Sequence, residues 1–176
     1  NQVEKTGKEG WSLNPNKVIY LGYGEEHLRE YTKSFIKTYI KNGLKIYDPA
    51  CSTGQFLYEL KKAYPVVTIL GGDLSKQMTD YASQFLDYCE CCNAKDSKLE
   101  ENSIDIMFLR FLNDQVVSKY QAKQFLPKTL TKVNKGGLVI AFGHTRVLLT
   151  TKHFEHYGLK VESCIGYYQK NNCIFQ

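Results

Sequence analysis

The sequence predicts an α/β fold with a seven-stranded, mostly parallel sheet, an antiparallel last strand and helices on both faces. First, strand-like apolar runs alternate with amphipathic helical segments, which is typical of a parallel sheet. Second, two of the runs end in an acidic residue, Asp48 and Asp73, followed by a turn and a helix. Third, the last two runs are joined only by 169–172. That length permits a hairpin but no crossover connection.

The helices and strands follow from local periodicity. In 25–42, apolar residues recur every three or four positions until Gly43, which predicts an amphipathic helix. Ser75 is placed to cap a later helix. The predicted helices are 25–42, 55–64, 75–87, 118–133 and about 150–157. The predicted strands are 44–50, 66–72, 88–92, 104–112, 138–142, 159–168 and 173–176. We expect a single domain over 1–176, in which 1–16 is irregular and 1–43 forms an N-terminal cap segment and helix.

Composition excludes several classes of protein. Hydrophobic residues make up 43% of the chain and charged residues 23%, which is ordinary for a globular domain. No apolar stretch approaches the roughly 20 residues that a membrane span needs. The net charge of +5 comes from scattered lysines without a dense basic run. We therefore expect no membrane association, and the charge pattern does not support a nucleic-acid partner, which remains an alternative.

The six cysteines are too sparse for a disulfide framework, and several lie in predicted buried strands. The run Cys89-Glu90-Cys91-Cys92 allows a metal interpretation. However, a structural zinc site usually matches one C-x2-C pair with another, and the sequence has no second pair. Free structural thiols are the favoured interpretation, which predicts no metal and a reducing, cytoplasmic setting.

The segment 45–56 (KIYDPACSTGQF) is the most informative part of the chain. A strand ends in Asp48, small residues form a turn over 50–54, and a helix follows. Small side chains let a ligand approach the backbone, and the first N–H groups of the helix can bind a carboxylate or phosphate. This arrangement indicates a nucleotide-type cofactor site. Asp73 follows the turn by about 20 residues, where an acid accepts hydrogen bonds from ribose hydroxyls.

With these motifs, residues 24–176 resemble a class I S-adenosylmethionine-dependent methyltransferase with a Rossmann-like fold. The family's first motif, acid-x-G-x-G-x-G, has the spacing of Asp48-Pro-Ala50-Cys-Ser52-Thr-Gly54, with Ala50 and Ser52 at two glycine positions. The segments 103–105 (SID) and 135–138 (KGGL) are similar to the family's S-F-D and K-P-G-G elements before strands four and five. A dinucleotide fingerprint needs G-x-G-x-x-G, so the turn favours S-adenosylmethionine over NAD.

The resemblance implies a set of cofactor-binding residues. The turn corresponds to the methionine end of the site, and Asp73 to the ribose acid. Asn93 stands where the family has an acid that reads the adenine amino group, and Asp96 is the alternative reader. The implied cofactor-binding residues are Asp48, Ala50, Ser52, Gly54, Asp73, Leu74, Asn93, Ala94, Asp96 and Arg110.

The acceptor is predicted to be a small molecule. The predicted connections between strands five and six and between six and seven lack the inserts that build large acceptor pockets in the family, which implies a small substrate or an open site. Arg110 and Arg146 are candidates to hold an anionic acceptor, since a guanidinium pairs bidentately with a carboxylate. The alternative is that they form surface or strand-end salt bridges. Tyr20 and Tyr23 are candidate substrate contacts from an N-terminal cap, or else ordinary core aromatics. His144 is a candidate general base, or else a structural or exposed histidine.

Two other functions remain open from the sequence: a methyltransferase of RNA or protein, and an S-adenosylmethionine-binding module without turnover. Asn113-Asp114 lies where nucleic-acid amino methyltransferases carry an N/D-P-P-Y-like tetrapeptide, but this chain has no Pro-Pro there. Ser52 and Asn93 depart from the family pattern and keep the binding module open. Because the sulfonium carries its own leaving group, the reaction needs alignment more than a nucleophilic side chain.

Overall fold

The computed structural model describes residues 26–112, 116–142 and 148–163, together with the backbone of four short strands outside these ranges. In chain order the elements are β1 (Val3–Thr6), β2 (Gly10–Leu13), α1 (Glu26–Ile36), β3 (Lys45–Asp48), α2 (Gln55–Ala63), β4 (Thr68–Asp73), α3 (Lys76–Ala82), β5 (Tyr88–Cys91), β6 (Ile104–Leu109), α4 (Lys119–Leu130), β7 (Val133–Ala141), α5 (Thr151–His156), β8 (Gly166–Gln169) and β9 (Asn172–Phe175). Short 3-10 turns occupy Lys37–Tyr39 and Ala94–Asp96.

The main sheet contains five parallel strands in the order β5-β4-β3-β6-β7. After β3 the chain adds strands on one side, and then returns to add β6 and β7 on the other. The strand order therefore reverses at β3, and in such sheets ligands bind beyond the carboxyl ends of the strands at that point. Asp48 pairs with Gly71, so the acids that end β3 and β4 lie at the same edge of the sheet.

Helices cover both faces of this sheet. Ile46 of β3 lies in one buried cluster with Phe56 of α2 and Ala82 of α3. Tyr47, the next residue, points to the opposite face and lies in a second cluster with Leu126 of α4. Ile46 and Tyr47 are both completely buried, as expected for a central parallel strand. Packing on both sides holds the carboxyl end of β3 in place, and the protein has the predicted Rossmann-like α/β architecture.

The prediction of seven strands with an antiparallel last strand is wrong for the main sheet, which has five strands, all parallel. The predicted final hairpin is present, but β8 and β9 pair with each other as a separate two-stranded sheet. Residues 159–163, predicted as the start of a strand, have no regular structure. A two-residue connection closes a hairpin at little entropic cost, so the two strands satisfy their ladder hydrogen bonds locally.

Two further segments differ from expectation. Residues 1–16, predicted to be irregular, contain the antiparallel β1–β2 pair. The Lys135-Gly136-Gly137 turn lies inside β7, where Gly136 has φ +77° and the register against β6 shifts between Ile104 and Ile106. By contrast, the predicted cap is confirmed, because the Ser75 hydroxyl accepts a hydrogen bond from the Met78 N–H. No helix in the described ranges is long and apolar enough to cross a membrane.

Candidate functional site

Hydrogen bonds within the turn after β3, and from the turn to the end of β4, fix its conformation. Asp48 Oδ1 accepts a hydrogen bond of 2.9 Å from the Ala50 N–H. The Cys51 N–H donates to the Gly72 carbonyl at 2.8 Å, and the Gly54 N–H donates to the Cys51 carbonyl at 2.9 Å. The turn is therefore attached to the neighbouring strand before α2 begins at Gln55.

Two residues of the turn have left-handed backbone conformations, Ser52 with φ +55° and Gly54 with φ +76°. A serine in this region costs of the order of 1 kcal/mol. The Ser52 N–H donates to Asp73 Oδ2 at 3.0 Å, and a hydrogen bond to a carboxylate is strong enough to offset that cost. Ser52 thus takes the conformation that suits a glycine, which explains how the motif tolerates the departure.

Gly54 is also required for space. A Cβ at this position would lie 3.1 Å from the Cβ of Ala82 and 3.2 Å from Cδ2 of Leu86. Both neighbours belong to the buried cluster on the α3 side of the sheet. The one glycine of the motif that this chain retains is therefore the one that brings α2 against α3.

Gly54→Ala and Gly43→Ala form a matched pair of substitutions. Both glycines have φ +76°, but a Cβ at Gly43 would meet no atom within 4 Å. We expect Gly43→Ala to lower the free energy of unfolding by about 1–2 kcal/mol through backbone strain, and Gly54→Ala by about 1–3 kcal/mol more through overpacking. Urea denaturation followed by circular dichroism measures both. If both variants lost the same free energy of unfolding, the close approach of α2 to α3 would not contribute to the effect of Gly54→Ala.

Asp73 joins the turn to the start of α3. Its Oδ2 accepts from the Ser52 N–H and its Oδ1 accepts from the Ser75 N–H, each at 3.0 Å. Burial raises the pKa of Asp73 above its ordinary value, while the hydrogen bonds from Ser75 and Ser52 act in the opposite direction. Each carboxylate oxygen has a second lone pair, so the side chain can hold the two loops and still accept from a ligand hydroxyl.

Asp48 and Arg110 form an ion pair between the ends of β3 and β6. Asp48 is completely buried and its Oδ2 lies 3.2 Å from Arg110 Nη1. The guanidinium carbon lies 4.9 Å from the centre of the Phe56 ring and 5.7 Å from that of Phe142. Phe56 and Phe108 pack edge to face beside them. The acid of the first motif therefore shapes the turn and is neutralised by an arginine held against aromatic rings.

The segment after β5 contains the predicted adenine readers. Asn93 caps the 3-10 turn Ala94–Asp96, and its Oδ1 accepts from the Lys95 N–H at 3.1 Å. That oxygen has a second lone pair, as the adenine interaction needs. Asp96 belongs to the same turn, and its N–H donates to the Asn93 carbonyl. The choice between Asn93 and Asp96 as reader stays a prediction.

Sequence reasoning missed a buried carboxylate below this segment, Glu90 of β5. The Tyr47 hydroxyl donates to its Oε1 at 3.1 Å, while the Tyr88 hydroxyl and the Lys98 N–H donate to its Oε2 at 3.0 Å. Burial and the Glu90 charge raise the pKa of Tyr88 to about 12. These bonds attach the segment after β5 to the sheet.

The sequence signal for Glu90 was its place between cysteines in a strand, where alternation puts it on the same face as Tyr88. The neighbouring cysteines direct attention to thiols, and the free-thiol interpretation gives Glu90 no role. Gly72 provides the room for the network, because a Cβ there would lie 3.1 Å from the Tyr47 hydroxyl.

The predicted cofactor residues all lie in the described part of the chain, and the parallel strands bring them to one edge of the sheet. They are Asp48, Ala50, Ser52, Gly54, Asp73, Leu74, Asn93, Ala94, Asp96 and Arg110. Of the predicted substrate and base residues, Arg110 lies in the described part of the chain, and the others lie outside it: Tyr20, Tyr23, His144 and Arg146. The pair Asn113-Asp114 also lies outside the described residues. Within the described ranges, no group of three or more His, Cys, Asp or Glu side chains is arranged to hold a metal ion.

Two curated proteins are similar to this chain. Isonocardicin synthase from Nocardia uniformis subsp. tsuyamanensis is 31% identical over 176 residues, which cover 100% of this chain and 58% of that protein. A ubiquinone/menaquinone biosynthesis C-methyltransferase from Campylobacter jejuni is 24% identical over 163 residues, covering 89% of this chain and 65% of the relative. The chain thus spans about three fifths of the length of these relatives.

Solved structures share the fold at low sequence identity. Magnesium protoporphyrin IX methyltransferase from Synechocystis PCC 6803, with bound S-adenosylmethionine, has a TM-score of 0.67 at 12% identity, covering 91% of this chain and 86% of that one. The sugar N-methyltransferase KedS8 from Streptoalloteichus has a TM-score of 0.60 at 19% identity, covering 82% and 60%. The [4+2]-cyclase SpnF has a TM-score of 0.59 at 14% identity, covering 78% and 59%.

The family comparison agrees with the geometry of the site. A family model described as a methyltransferase domain matches residues 46–137, from β3 to the Gly136-Gly137 bulge of β7. That range holds the turn, Asp73, the segment after β5 and Arg110. The chain therefore belongs to the methyltransferase-domain family of class I S-adenosylmethionine-dependent enzymes.

Proposed function

We propose that this chain is the catalytic domain of an S-adenosylmethionine-dependent methyltransferase that acts on a small-molecule acceptor. The observation that carries the proposal is Asp73, whose carboxylate at the end of β4 holds both the turn after β3 and the cap of α3. The turn beside it is built of small residues and leads into the amino end of α2. These features fit a nucleoside ligand with an amino-acid tail.

Each part of the proposed site has a role that its own chemistry supports. The N–H groups at the start of α2 favour the carboxylate of the methionine end. Asp73 accepts hydrogen bonds from ribose hydroxyls, and the segment 93–96 reads adenine. The cofactor supplies a methyl group on positively charged sulfur. The protein contributes alignment of that group with the acceptor, which lowers the barrier mainly through positioning.

The small-molecule acceptor is supported by the names of similar proteins and by charge. These proteins include a ubiquinone/menaquinone biosynthesis C-methyltransferase, a sugar N-methyltransferase and magnesium protoporphyrin IX methyltransferase. Lysines are scattered and form no basic run of the kind that binds nucleic acid. Arg110 already pairs with Asp48 and its side chain is only 15% exposed, which favours the salt-bridge alternative for that residue.

Several finer assignments stay predictions. They are substrate contacts by Tyr20, Tyr23, Arg110 and Arg146, a base role for His144, a single domain over 1–176, and a cytoplasmic location. The domain assignment can be tested by limited proteolysis, because a single domain protects its interior chain from cleavage.

The decisive experiment identifies what the cofactor becomes, because a shared fold does not determine the reaction. The name isonocardicin synthase states no methyl transfer, and a [4+2]-cyclase shares this fold. The protein is incubated with methyl-labelled S-adenosylmethionine and fractions of cell extract, and products are separated by mass spectrometry. We expect S-adenosylhomocysteine together with a labelled small molecule. Asp73→Ala serves as the binding-deficient control.

Other outcomes would overturn the proposal in distinct ways. Incorporation of the label into RNA or protein would show that the acceptor is a macromolecule and not a small molecule. Tight binding of S-adenosylmethionine without any product in all fractions would identify a binding module. A cofactor product other than S-adenosylhomocysteine would exclude methyl transfer as the reaction.

A further inference from the structure

Two cysteines from different elements meet on the face of β4 beside the proposed cofactor turn. Cys51 lies in the turn and packs on Gly71, since a Cβ added to Gly71 would lie 2.8 Å from Cys51 Sγ. Gly71 is paired in register with Cys89 of β5. Residues paired in register on neighbouring strands direct their side chains to the same face. The missing side chain at Gly71 therefore leaves the two thiols facing each other.

The two thiols have unequal environments. Cys51 is 2% exposed, and its Sγ also approaches the Ser52 carbonyl oxygen at 3.6 Å, whereas Cys89 is half-buried. Hydrogen bonding from the Cys51 thiol lowers the pKa of Cys89, against the smaller effects of burial and of Asp73, Glu90 and Asp80. The same contact and burial raise the pKa of Cys51. Cys89 is thus the sulfur that is both accessible and more readily ionised.

We propose that Cys51 and Cys89 are a redox-sensitive pair, which a peroxide converts to a disulfide that weakens cofactor binding at the adjacent turn. The effect on the cofactor rests on the proposed function, whereas the disulfide itself does not. The other two described cysteines are placed differently. Cys91 is exposed and its Sγ contacts the Leu74 carbonyl oxygen, while burial and Glu90 raise the pKa of Cys92 to about 12.

The chemistry balances with one peroxide molecule. The Cys89 thiolate attacks hydrogen peroxide, takes one oxygen as sulfenic acid and releases hydroxide. The Cys51 sulfur then attacks the Cys89 sulfur and forms the S–S bond. The hydroxyl group of the sulfenic acid leaves with the Cys51 proton as water. The hydroxide released in the first step takes up the proton that Cys89 lost on ionisation and becomes the second water. The two thiols have together lost two electrons, and the peroxide has been reduced to two molecules of water.

The consequence for the site follows from bond lengths. A disulfide holds its sulfurs about 2.05 Å apart, which is much closer than two thiols in non-bonded contact. Closing that gap pulls the turn across Gly71 towards β5. The Cys51 N–H bond to the Gly72 carbonyl and the Ser52 N–H bond to Asp73 lie on either side of the displaced residue. Both are expected to lengthen, so the oxidised turn loses its shape for the cofactor.

The test uses the whole chain, hydrogen peroxide and S-adenosylhomocysteine as the binding probe. Disulfides are mapped by peptide mass spectrometry, and the Kd is measured by calorimetry before oxidation, after oxidation and after dithiothreitol. We expect one 51–89 disulfide and a Kd raised about tenfold or more, as for loss of a hydrogen bond to a charged group. Dithiothreitol should restore the original Kd.

The variants distinguish this pair from general oxidation. Cys89→Ser should keep the reduced-state Kd and lose its response to peroxide, while Cys91→Ser should respond like the parent protein. A disulfide through Cys91 or Cys92, or an unchanged Kd in the 51–89 oxidised protein, would overturn the proposal. If the reduced protein does not bind S-adenosylhomocysteine, the proposed function fails. The disulfide map alone then decides whether the pair exists.

Discussion

Arg110→Leu is expected to lower the free energy of unfolding by about 3–5 kcal/mol, the largest loss we predict for a single substitution here. The substitution removes the guanidinium 3.2 Å from Asp48, whose carboxylate is completely buried. Removing one partner of a buried ion pair leaves the cost of burying the other charge. The contacts of the guanidinium with Phe56 and Phe142 are lost as well.

The stability of Arg110→Leu is measured by urea denaturation at neutral pH, followed by circular dichroism. Arg110→Lys keeps the positive charge but loses the planar guanidinium. Its free energy of unfolding should therefore lie between those of the parent protein and Arg110→Leu. Lys76→Ala is the exposed control, since it breaks the Lys76–Asp80 pair, which is 78% and 62% exposed. Lys76→Ala should lower the free energy of unfolding by less than about 1 kcal/mol. If Lys76→Ala and Arg110→Leu lowered the free energy of unfolding by similar amounts, burial of the Asp48–Arg110 pair would not explain its contribution to stability.

A double substitution separates the charge from the packing. Asp48→Asn combined with Arg110→Leu removes the uncompensated charge and should recover part of the stability lost in Arg110→Leu. Strictly additive losses in the double variant would mean that the two side chains do not interact energetically.

Asp73→Asn is expected to raise the Kd for S-adenosylhomocysteine by about 10- to 100-fold, which corresponds to the loss of hydrogen bonds to a charged group. Asn has one accepting oxygen, whereas Asp73 accepts from both Ser52 and Ser75 with different oxygens. The amide NH₂ would face one of those N–H donors. Either the turn after β3 or the cap of α3 must then move, and the ribose also loses a charged acceptor.

Calorimetry with S-adenosylhomocysteine measures the Kd of each variant. The midpoint of urea denaturation shows that the variant is folded. Asp80→Asn is the matched control, because Asp80 is an exposed carboxylate on α3 that pairs with Lys76. Its Kd should equal that of the parent protein. If Asp73→Asn also binds with the parent's Kd, Asp73 holds no part of the cofactor site.

The main elements around the site were predictable because their signals are local. The apolar run, the acid, the small turn and the helix of 45–56 lie next to one another in the chain, and the structure confirms them as β3, the turn and α2. The Ser75 cap was equally local. The resemblance to the methyltransferase family depended on the same segments, and the family match confirms it.

The partners of those residues were not predictable, since they depend on strand order and register. Arg110 was placed at the correct rim of the sheet, but its pairing with Asp48 joins positions 62 residues apart. Glu90 and Tyr47 meet across Gly72 only because β4 lies between their strands. In the same way, Cys51 and Cys89 face each other across Gly71. The sequence shows the cysteines and Glu90, but nothing in it indicates which distant residues they contact.

The sequence by itself determined the α/β class, the strand, turn and helix of 45–56 and the cap at Ser75, because periodicity, caps and turn chemistry act over a few neighbouring positions. The cofactor-binding roles of the residues there stay predictions. Only the tertiary structure decided that five strands form the main sheet, while β8 and β9 pair separately. It also decided that Asp48 is neutralised by Arg110 and that Asp73 joins two loops. These outcomes depend on which distant segments pack together, and burial then sets the energy of each charged contact.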